Sequence, residues 1–129
     1  MKNWAGCLGI VFRIRWTQPF FYSEKDGRPD TYVITGDIDA MWLRDSSAQV
    51  YPYLDFMSED KNLQRLIIGV INKQTSFILK DPYANVLFMM MIRSIQDGTA
   101  TIRRWKPGIH ERKYELDSLC YPIRLAYGY

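Results

Sequence analysis

An apolar stripe at helical spacing is the feature that most constrains how this chain can fold. Apolar side chains and one glutamine recur every three or four residues, at Leu63, Leu66, Ile67, Val70, Ile71, Gln74, Phe77 and Ile78. The Ser-Glu-Asp segment at 58–60 suits a helix start, because caps and acidic groups satisfy the free N–H groups there. Asp81-Pro82 cannot continue a helix, so the pattern predicts one long helix that ends near Lys80.

A shorter helix is predicted before the long one. Ser46 and Gln49 match a capping box, in which two side chains satisfy backbone N–H groups reciprocally. The helix is therefore expected to begin at Ser46 and to run toward Phe56, with a bend at Pro52.

A third helix is predicted to begin at Asp117 or Ser118. It places four side chains on one side: Leu119, Cys120, Ile123 and Tyr127. Strand signals are sparse, with a turn over residues 27–31 and a short extended segment over residues 32–35. These elements predict an all-α chain of helical hairpins whose loops carry the polar clusters. A helical repeat or a bundle fits the same periodicity.

Charge and cysteine usage exclude several classes of protein. The formal net charge is +3, and its positive excess falls in residues 1–23 and 86–106 without the interleaved cations and aromatic rings of a nucleic-acid interface. No targeting signal or membrane span is predicted. Cys7 and Cys120 lack nearby partners, which is typical of a reduced, cytoplasmic protein. His110 is the single histidine, so we expect no zinc site and no other cofactor.

Two segments concentrate acids and aromatic rings just ahead of predicted helix starts. They contribute Asp37, Asp39, Trp42, Arg44, Asp45, Tyr114, Glu115 and Asp117. Glycoside hydrolysis needs one carboxylic acid to protonate the leaving oxygen and one carboxylate to act as base or nucleophile. Helix caps and arginine–aspartate ion pairs would explain the same residues, so composition alone leaves both interpretations open.

Three blocks of sequence resemble glycoside hydrolase family 125. They are TGDIDAMWLRDS at 35–46, DPYAN at 81–85 and ERKYELDSLCYPI at 111–123. The resemblance implies a metal-independent exo-α-1,6-mannosidase with an (α/α)6 barrel, the six-hairpin glycosidase fold, and an inverting mechanism. It implies that residues 1–129 are the N-terminal part of one catalytic domain, so the barrel is incomplete in this chain. The implied partner is a mannose-containing oligosaccharide.

The resemblance also implies roles for the site residues. We expect the general acid and base of the family to lie beyond Tyr129, so that this chain is inactive alone. Asp117 is a less favoured candidate for a catalytic residue within the chain. The substrate-binding wall is expected to comprise Trp42, Arg44, Asp45, Tyr114, Glu115 and Asp117. Two structural alternatives stay open: Asp117 caps the third helix, or Arg44 forms an ion pair with Asp37 or Asp39.

The resemblance to the family is lost in the two stretches that carry the excess positive charge. A run of three methionines, Met89–Met91, stands where the resemblance leads us to expect an acidic, Asn-rich loop. The codons ATG-ATG-ATG give Asp-Asp-Asp in a neighbouring frame. Our hypothesis is that residues 1–23 and 86–106 are out of frame, through a frameshifted gene or sequencing errors. The true N-terminus, and with it the cellular location, is then open.

Two other interpretations compete with the interpretation of this chain as a fragment of a mannosidase. The long amphipathic segment 59–80 could be the partner-binding helix of a non-catalytic interaction module. The chain could instead be the product of a pseudogene. An interaction module built from repeats predicts a fixed internal period, and the sequence shows none.

Overall fold

The computed structural model describes residues 20–36, 39–88 and 109–129, with the side chains of residues 88 and 109–111 left out. The elements, in chain order, are β1 (Phe20–Lys25), β2 (Arg28–Val33), β3 (Ala40–Trp42), α1 (Leu43–Val50), a 3-10 helix (Tyr51–Phe56), α2 (Lys61–Lys80), β4 (Val86–Phe88), β5 (Ile109–Glu111) and α3 (Leu116–Gly128). Asp37 and most of the two stretches interpreted as out of frame lie outside the described residues.

Helix α2 confirms the prediction from the apolar stripe. Asp60 caps its N-terminus by accepting hydrogen bonds from the N–H groups of Asn62 at 2.8 Å and Leu63 at 3.2 Å. The helix ends at Lys80, immediately before Asp81. Its buried face carries Leu63, Leu66, Ile67, Gly69, Val70 and Gln74. Among the described residues, no helix is long and apolar enough to cross a membrane.

Strands β1 and β2 form an antiparallel hairpin that covers this buried face. Its register runs from Phe20 opposite Val33 to Lys25 opposite Arg28. The connection is tighter and earlier than the turn predicted over 27–31, because Asp26 and Gly27 both take positive φ angles, 52° and 74°. Positive φ at both central positions is the geometry of a two-residue hairpin turn, and glycine adopts it without strain.

The hairpin approaches α2 very closely at Gly69. A Cβ atom added at Gly69 would lie 2.2 Å from Oγ1 and 3.0 Å from the backbone nitrogen of Thr31, a residue that is fully buried. Only glycine permits this helix–strand distance. Polar contacts fix the same interface at its rim: Asn72 Nδ2 donates to the Pro29 carbonyl at 2.8 Å, and Arg65 pairs with Glu24 at 2.6 Å.

A second sheet has the strand order β3-β4-β5, and both pairings are antiparallel. The hydroxyl of buried Tyr32 lies 3.1 Å from the Asp39 carbonyl and 2.9 Å from the Leu87 carbonyl, so it connects the hairpin to this sheet. The all-α prediction is therefore corrected to a mainly helical chain with two small sheets. Strands of three residues are too short to show a period of two in sequence.

The helix starts at α1 and α3 differ from their predictions. Helix α1 begins at Leu43 rather than Ser46, and the Ser46 hydroxyl donates to the Trp42 carbonyl at 2.6 Å instead of capping. The chain continues from Tyr51 as the 3-10 helix, with Pro52 in its first turn. At the position of the expected bend, the α-helix therefore changes into a 3-10 helix. Helix α3 begins at Leu116, and Glu115 occupies the N-cap position.

The side of α3 expected to be apolar faces solvent. Ile123 is 66% exposed and Tyr127 is 93% exposed. The buried residues of this helix are instead Ser118, Pro122 and Leu125. Leu125 joins the main core, which lies between the hairpin, α1 and α2.

Candidate functional site

The start of α1 is held by the loop that precedes it. The Thr35 N–H donates to the Ala40 carbonyl at 3.0 Å, and the Thr35 hydroxyl oxygen accepts from the Trp42 N–H at 2.9 Å. Gly36 opens this loop with φ of 90°, a conformation that favours glycine. Strand β3 ends at Trp42 and α1 begins at the next residue, Leu43. The Leu43 N–H donates to the Asn85 carbonyl at 3.1 Å, which ties the start of the helix to the segment before β4.

The buried side chain of Gln74 in α2 holds α1 in place through hydrogen bonds. Its Nε2 group donates to the hydroxyls of Ser46 at 2.9 Å and Ser47 at 2.8 Å, and it lies 3.3 Å from the Leu43 carbonyl. All of these groups are buried. Buried hydrogen bonds of this kind fix one helix against another because unpaired alternatives are costly. The first turn of α1 therefore has a defined orientation.

Arg44 stands in that first turn and joins α1 to α3. Its Nη1 donates to Oδ2 of Asp117 at 2.8 Å and lies 3.6 Å from Oε2 of Glu115, while Nε lies 3.6 Å from Oδ2 of Asp45. We call these four side chains the Arg44 cluster. Arg44 and Asp117 lie 73 positions apart in the chain, and each side chain of the cluster is partly open to solvent.

The cluster changes the ionisation of two of its members. The hydrogen bond from Arg44 lowers the pKa of the Asp117 carboxyl below its ordinary value, and the same bond raises the pKa of the Arg44 guanidinium. Asp117 is therefore a carboxylate near neutral pH. It can accept hydrogen bonds from hydroxyl groups, whereas a general acid needs the opposite shift.

A shallow cleft that is largely open to solvent lies beside the cluster. It has a volume of about 600 Å³ and is lined by Arg44, Glu115, Leu116, Asp117 and Cys120. Arginine supplies only hydrogen-bond donors and a carboxylate only acceptors, so the wall of the cleft offers both. Such a pair matches neighbouring hydroxyl groups, each of which can donate and accept. The cleft can therefore bind a polyol or a sugar ring.

Four of the six predicted wall residues come together in the cluster: Arg44, Asp45, Glu115 and Asp117. Tyr114 lies next to Glu115 and is 63% exposed. Trp42 is the last residue of β3 and is partly buried. Its backbone N–H, and not its ring, donates the hydrogen bond to Thr35. Which of these residues contact substrate stays a prediction.

The described residues test two structural alternatives from the sequence in part. Asp117 does not cap α3, because Glu115 holds the N-cap position and Asp117 lies in the first turn. Arg44 pairs with Asp117, Glu115 and Asp45, and not with exposed Asp39, whose carbonyl lies within hydrogen-bond distance of the Tyr32 hydroxyl. Sequence reasoning offered Asp37 or Asp39 because both are near Arg44 in the chain, and Asp37 lies outside the described residues.

Two residues near the site were missed by sequence reasoning. Tyr83 lies against Tyr114, with ring centroids 6.0 Å apart, and Arg112 lies over the Tyr83 ring. Both positions fall inside blocks that resemble the family, and that was the available signal. In the part of the chain that the structure describes, no three His, Cys, Asp or Glu side chains are grouped so as to hold a metal ion.

The family model described as metal-independent alpha-mannosidase (GH125) matches residues 11–129. The chain belongs to this family. The α-mannosidase family also contains a solved structure from Streptococcus pneumoniae, a non-productive substrate complex with alpha-1,6-mannobiose. This chain is 44% identical to that protein, with a TM-score of 0.67 over 83% of this chain and 25% of the other.

A curated relative is more distant. The meiotically up-regulated gene 157 protein of Schizosaccharomyces pombe is 36% identical over 122 residues, which is 90% of this chain and 23% of that protein. The chain thus spans about a quarter of the length of the relatives that it matches.

Proposed function

We propose that this chain supplies part of the sugar-binding wall of an exo-acting, metal-independent α-1,6-mannosidase. The Arg44 cluster carries the proposal, because it places three carboxylates around one guanidinium at the mouth of a cleft. Family membership and the α-1,6-mannobiose bound by the S. pneumoniae relative support mannose as the sugar.

Arg44 and the carboxylates of Asp117 and Glu115 have complementary tasks in this proposal. Arg44 has five N–H donors, and within the described residues its ion pairs engage only Nη1 and Nε. The remaining donors can reach a sugar hydroxyl. Asp117 and Glu115 accept hydrogen bonds from the same or neighbouring hydroxyls. Charge-assisted bonds of this kind are short and directional, so they would orient the terminal mannose.

Catalysis would need further groups. An inverting glycosidase places its acid and base about 6.5–9.5 Å apart, with room for the attacking water. Asp117 is unsuited to the acid role, because its pKa is lowered by Arg44. We therefore propose that the acid and base come from parts of the longer family domain that this chain does not span, and that the chain alone does not hydrolyse mannosides.

The same proposal covers the fold and the anomalous stretches. Residues 1–129 would form the N-terminal part of an (α/α)6 domain, with 1–23 and 86–106 out of frame. Reading the gene in three frames tests the second statement, since stop codons in the neighbouring frame across either stretch contradict it. The interaction-module alternative loses support, because the apolar face of α2 is already buried by the chain's own hairpin.

Sugar binding and hydrolysis by the purified chain test the function. We expect methyl α-mannoside and α-1,6-mannobiose to bind with dissociation constants in the millimolar range, and no mannose to be released. Arg44→Ala should abolish the binding. Arg65→Ala is the matched control, because Arg65 pairs with Glu24 on the distant hairpin. Release of mannose by the chain would make Asp117 or another acid in it catalytic.

A further inference from the structure

The Arg44 cluster has two halves on different elements: Arg44 and Asp45 on α1, and Glu115 and Asp117 at the start of α3. Asn85, which is fully buried, is bonded to the chain just ahead of each half. Its carbonyl accepts from the Leu43 N–H at 3.1 Å, and its side-chain Oδ1 accepts from the Lys113 N–H at 3.4 Å. One buried residue therefore connects the two segments that enter the site.

The turn that ends at Asn85 is itself held by buried polar groups. Asp81 is only 1% exposed, and its carboxylate accepts from the Tyr83 N–H at 3.0 Å and from Arg112 Nε at 2.9 Å. The Asp81 carbonyl accepts from the Ala84 N–H at 3.1 Å. Hydrogen bonds to a charged group are stronger than those between neutral groups. The turn at residues 81–85 therefore has a defined shape and also binds the segment that follows β5.

The cluster needs support from outside because its own ion pairs are partly open to water. Ion pairs in water contribute little to holding two elements together. Gln74 supports the half on α1, and Leu125 anchors the later part of α3 in the main core. Neither contact involves the segment that leads into Glu115. The bond from the Lys113 N–H to Asn85 does.

We propose that Asn85 is a positioning residue for the Arg44 cluster, and that the turn at residues 81–85 sets the separation of the two halves. The inference rests on the proposed function in one respect, namely that the cluster binds a sugar. A hydrogen bond to a sugar hydroxyl weakens steeply as its distance and angle depart from the optimum. A small shift of one half against the other would therefore weaken binding, although every group of the cluster is still present.

A role in stability alone would also explain a buried asparagine at the end of a turn, because buried polar groups need hydrogen-bond partners. That role predicts that Asn85→Ala lowers the free energy of unfolding and leaves the cluster intact in the folded chain. Positioning predicts that Arg44 and Asp117 also move apart. The titration of the Asp117 carboxyl reports this movement, since its pKa is lowered by the hydrogen bond from Arg44.

The test compares Asn85→Ala with the wild-type chain under conditions in which both are folded. We expect the pKa of Asp117, measured by ¹³C NMR, to move toward its ordinary value. The dissociation constant for methyl α-mannoside should rise roughly fivefold or more, the equivalent of one lost hydrogen bond. Gly69→Ala is the matched control, because it disturbs a buried contact between α2 and the hairpin. It should leave both quantities unchanged.

The two readouts separate this inference from the proposed function. If the wild-type chain binds the sugar and either quantity stays unchanged in Asn85→Ala, the positioning role is overturned while the sugar site stands. If the wild-type chain binds no sugar, the proposed function fails, and the titration of Asp117 still decides whether Asn85 holds the two halves together.

A second measurement needs no variant and applies even if Asn85→Ala does not fold. Lys113 is exposed and lies in a segment without helix or strand, where an N–H group normally exchanges quickly with solvent. We expect hydrogen exchange at the Lys113 N–H to be slower, by roughly tenfold or more, than in an unstructured peptide of the same sequence. Exchange at the rate of the peptide would show that Asn85 does not hold this segment, and would overturn the inference.

Discussion

The hairpin–α2 interface and the α1–α3 corner hold the molecule together in different ways. Between the hairpin and α2 the contact is close and mostly buried: Gly69 lies against Thr31, and even the ion pair between Lys73 and Asp30 is only 19% and 17% exposed. Between α1 and α3 the contact is an ion-pair cluster around Arg44 that is partly open to water. One region excludes water, and the other keeps hydrogen-bonding groups available.

This difference separates stability from binding. Buried close packing contributes strongly to the free energy of unfolding, whereas ion pairs at the surface contribute little. The Arg44 cluster is therefore poorly explained as a stabilising device and better explained as a surface for a polar ligand. Gln74 connects the two regions, since it belongs to the buried face of α2 and bonds to the first turn of α1.

The largest effect is expected from Gly69→Ala. Alanine normally stabilises a helix interior by about 1 kcal/mol relative to glycine. Here the new Cβ would lie 2.2 Å from Oγ1 and 3.0 Å from the backbone nitrogen of Thr31, so the strand must move. We predict a net loss of about 2 kcal/mol in the free energy of unfolding, measured by urea denaturation.

Two variants control this experiment. Gln64→Ala changes an exposed position of the same helix and should alter the free energy of unfolding by less than about 0.5 kcal/mol. Thr31→Ala in the Gly69→Ala background removes Oγ1 and should recover part of the loss. A Gly69→Ala chain that is more stable than the wild type would show that helix propensity outweighs the close contact.

Gln74→Ala is expected to affect both regions. It removes the hydrogen bonds to Ser46 and Ser47 and leaves a gap beneath α1. We predict a loss of about 1–2 kcal/mol in the free energy of unfolding, no larger than that of Gly69→Ala. The affinity for methyl α-mannoside should also fall, because the turn that carries Arg44 loses its support.

The affinity measurement decides whether Gln74 connects the regions. Gly69→Ala should lower stability without changing the affinity of the folded chain, whereas Gln74→Ala should change both. Gln74→Leu fills the space and removes Oε1, which has no partner within the described residues, so it should cost less stability than alanine. Unchanged affinity in Gln74→Ala would show that α1 is held independently of Gln74.

Helix α2 could be predicted from sequence, but the Arg44 cluster could not be predicted in full. The α2 prediction rested on local information: a helical period from Leu63 to Ile78, an acidic start and a proline after the end. The two small sheets depend on pairing between distant segments, and a three-residue strand such as β3 carries no readable period. The family resemblance identified the acids, while their partners required the fold.

Gln74 and Arg44 show why the remainder was missed. Gln74 was recognised as a member of the apolar stripe, but its partners on α1 lie 27 and 28 residues away. For Arg44 the sequence offered an ion pair with Asp37 or Asp39 as one alternative, whereas its shortest ion pair is with Asp117, 73 residues away. Residues of these types can pair with many others, so only the packing of α1 against α3 and α2 selects the partner.

A smaller effect is expected from Thr31→Val. The Thr31 hydroxyl is buried and has no hydrogen-bond partner within the described residues. Valine has nearly the same shape and lacks the hydroxyl, so the cost of desolvating that group is removed. We predict a gain of up to about 1 kcal/mol in the free energy of unfolding by urea denaturation. A clear loss would mean that the hydroxyl has a partner, such as a buried water.

The smallest effect concerns the titration of Asp117. Its pKa is lowered from the ordinary value of 3.8 by the hydrogen bond from Arg44, so the folded state favours the carboxylate. The stabilisation is therefore present above the ordinary pKa of an unfolded aspartate and is lost as the pH falls through the lowered one. We predict that ¹³C NMR of the Asp117 carboxyl shows a pKa below 3.8.

Arg44→Gln should return that pKa toward its ordinary value, while Arg65→Gln, at the distant hairpin, should leave it unchanged. Raising the salt concentration should reduce the shift in the wild-type chain, because the pair is open to solvent and its Coulombic part is screened. Mannoside binding should be constant from neutral pH down to about pH 5 and should weaken as the carboxylates of the Arg44 cluster become protonated. Loss of binding near pH 6 instead would assign the hydroxyl-accepting role to a different group.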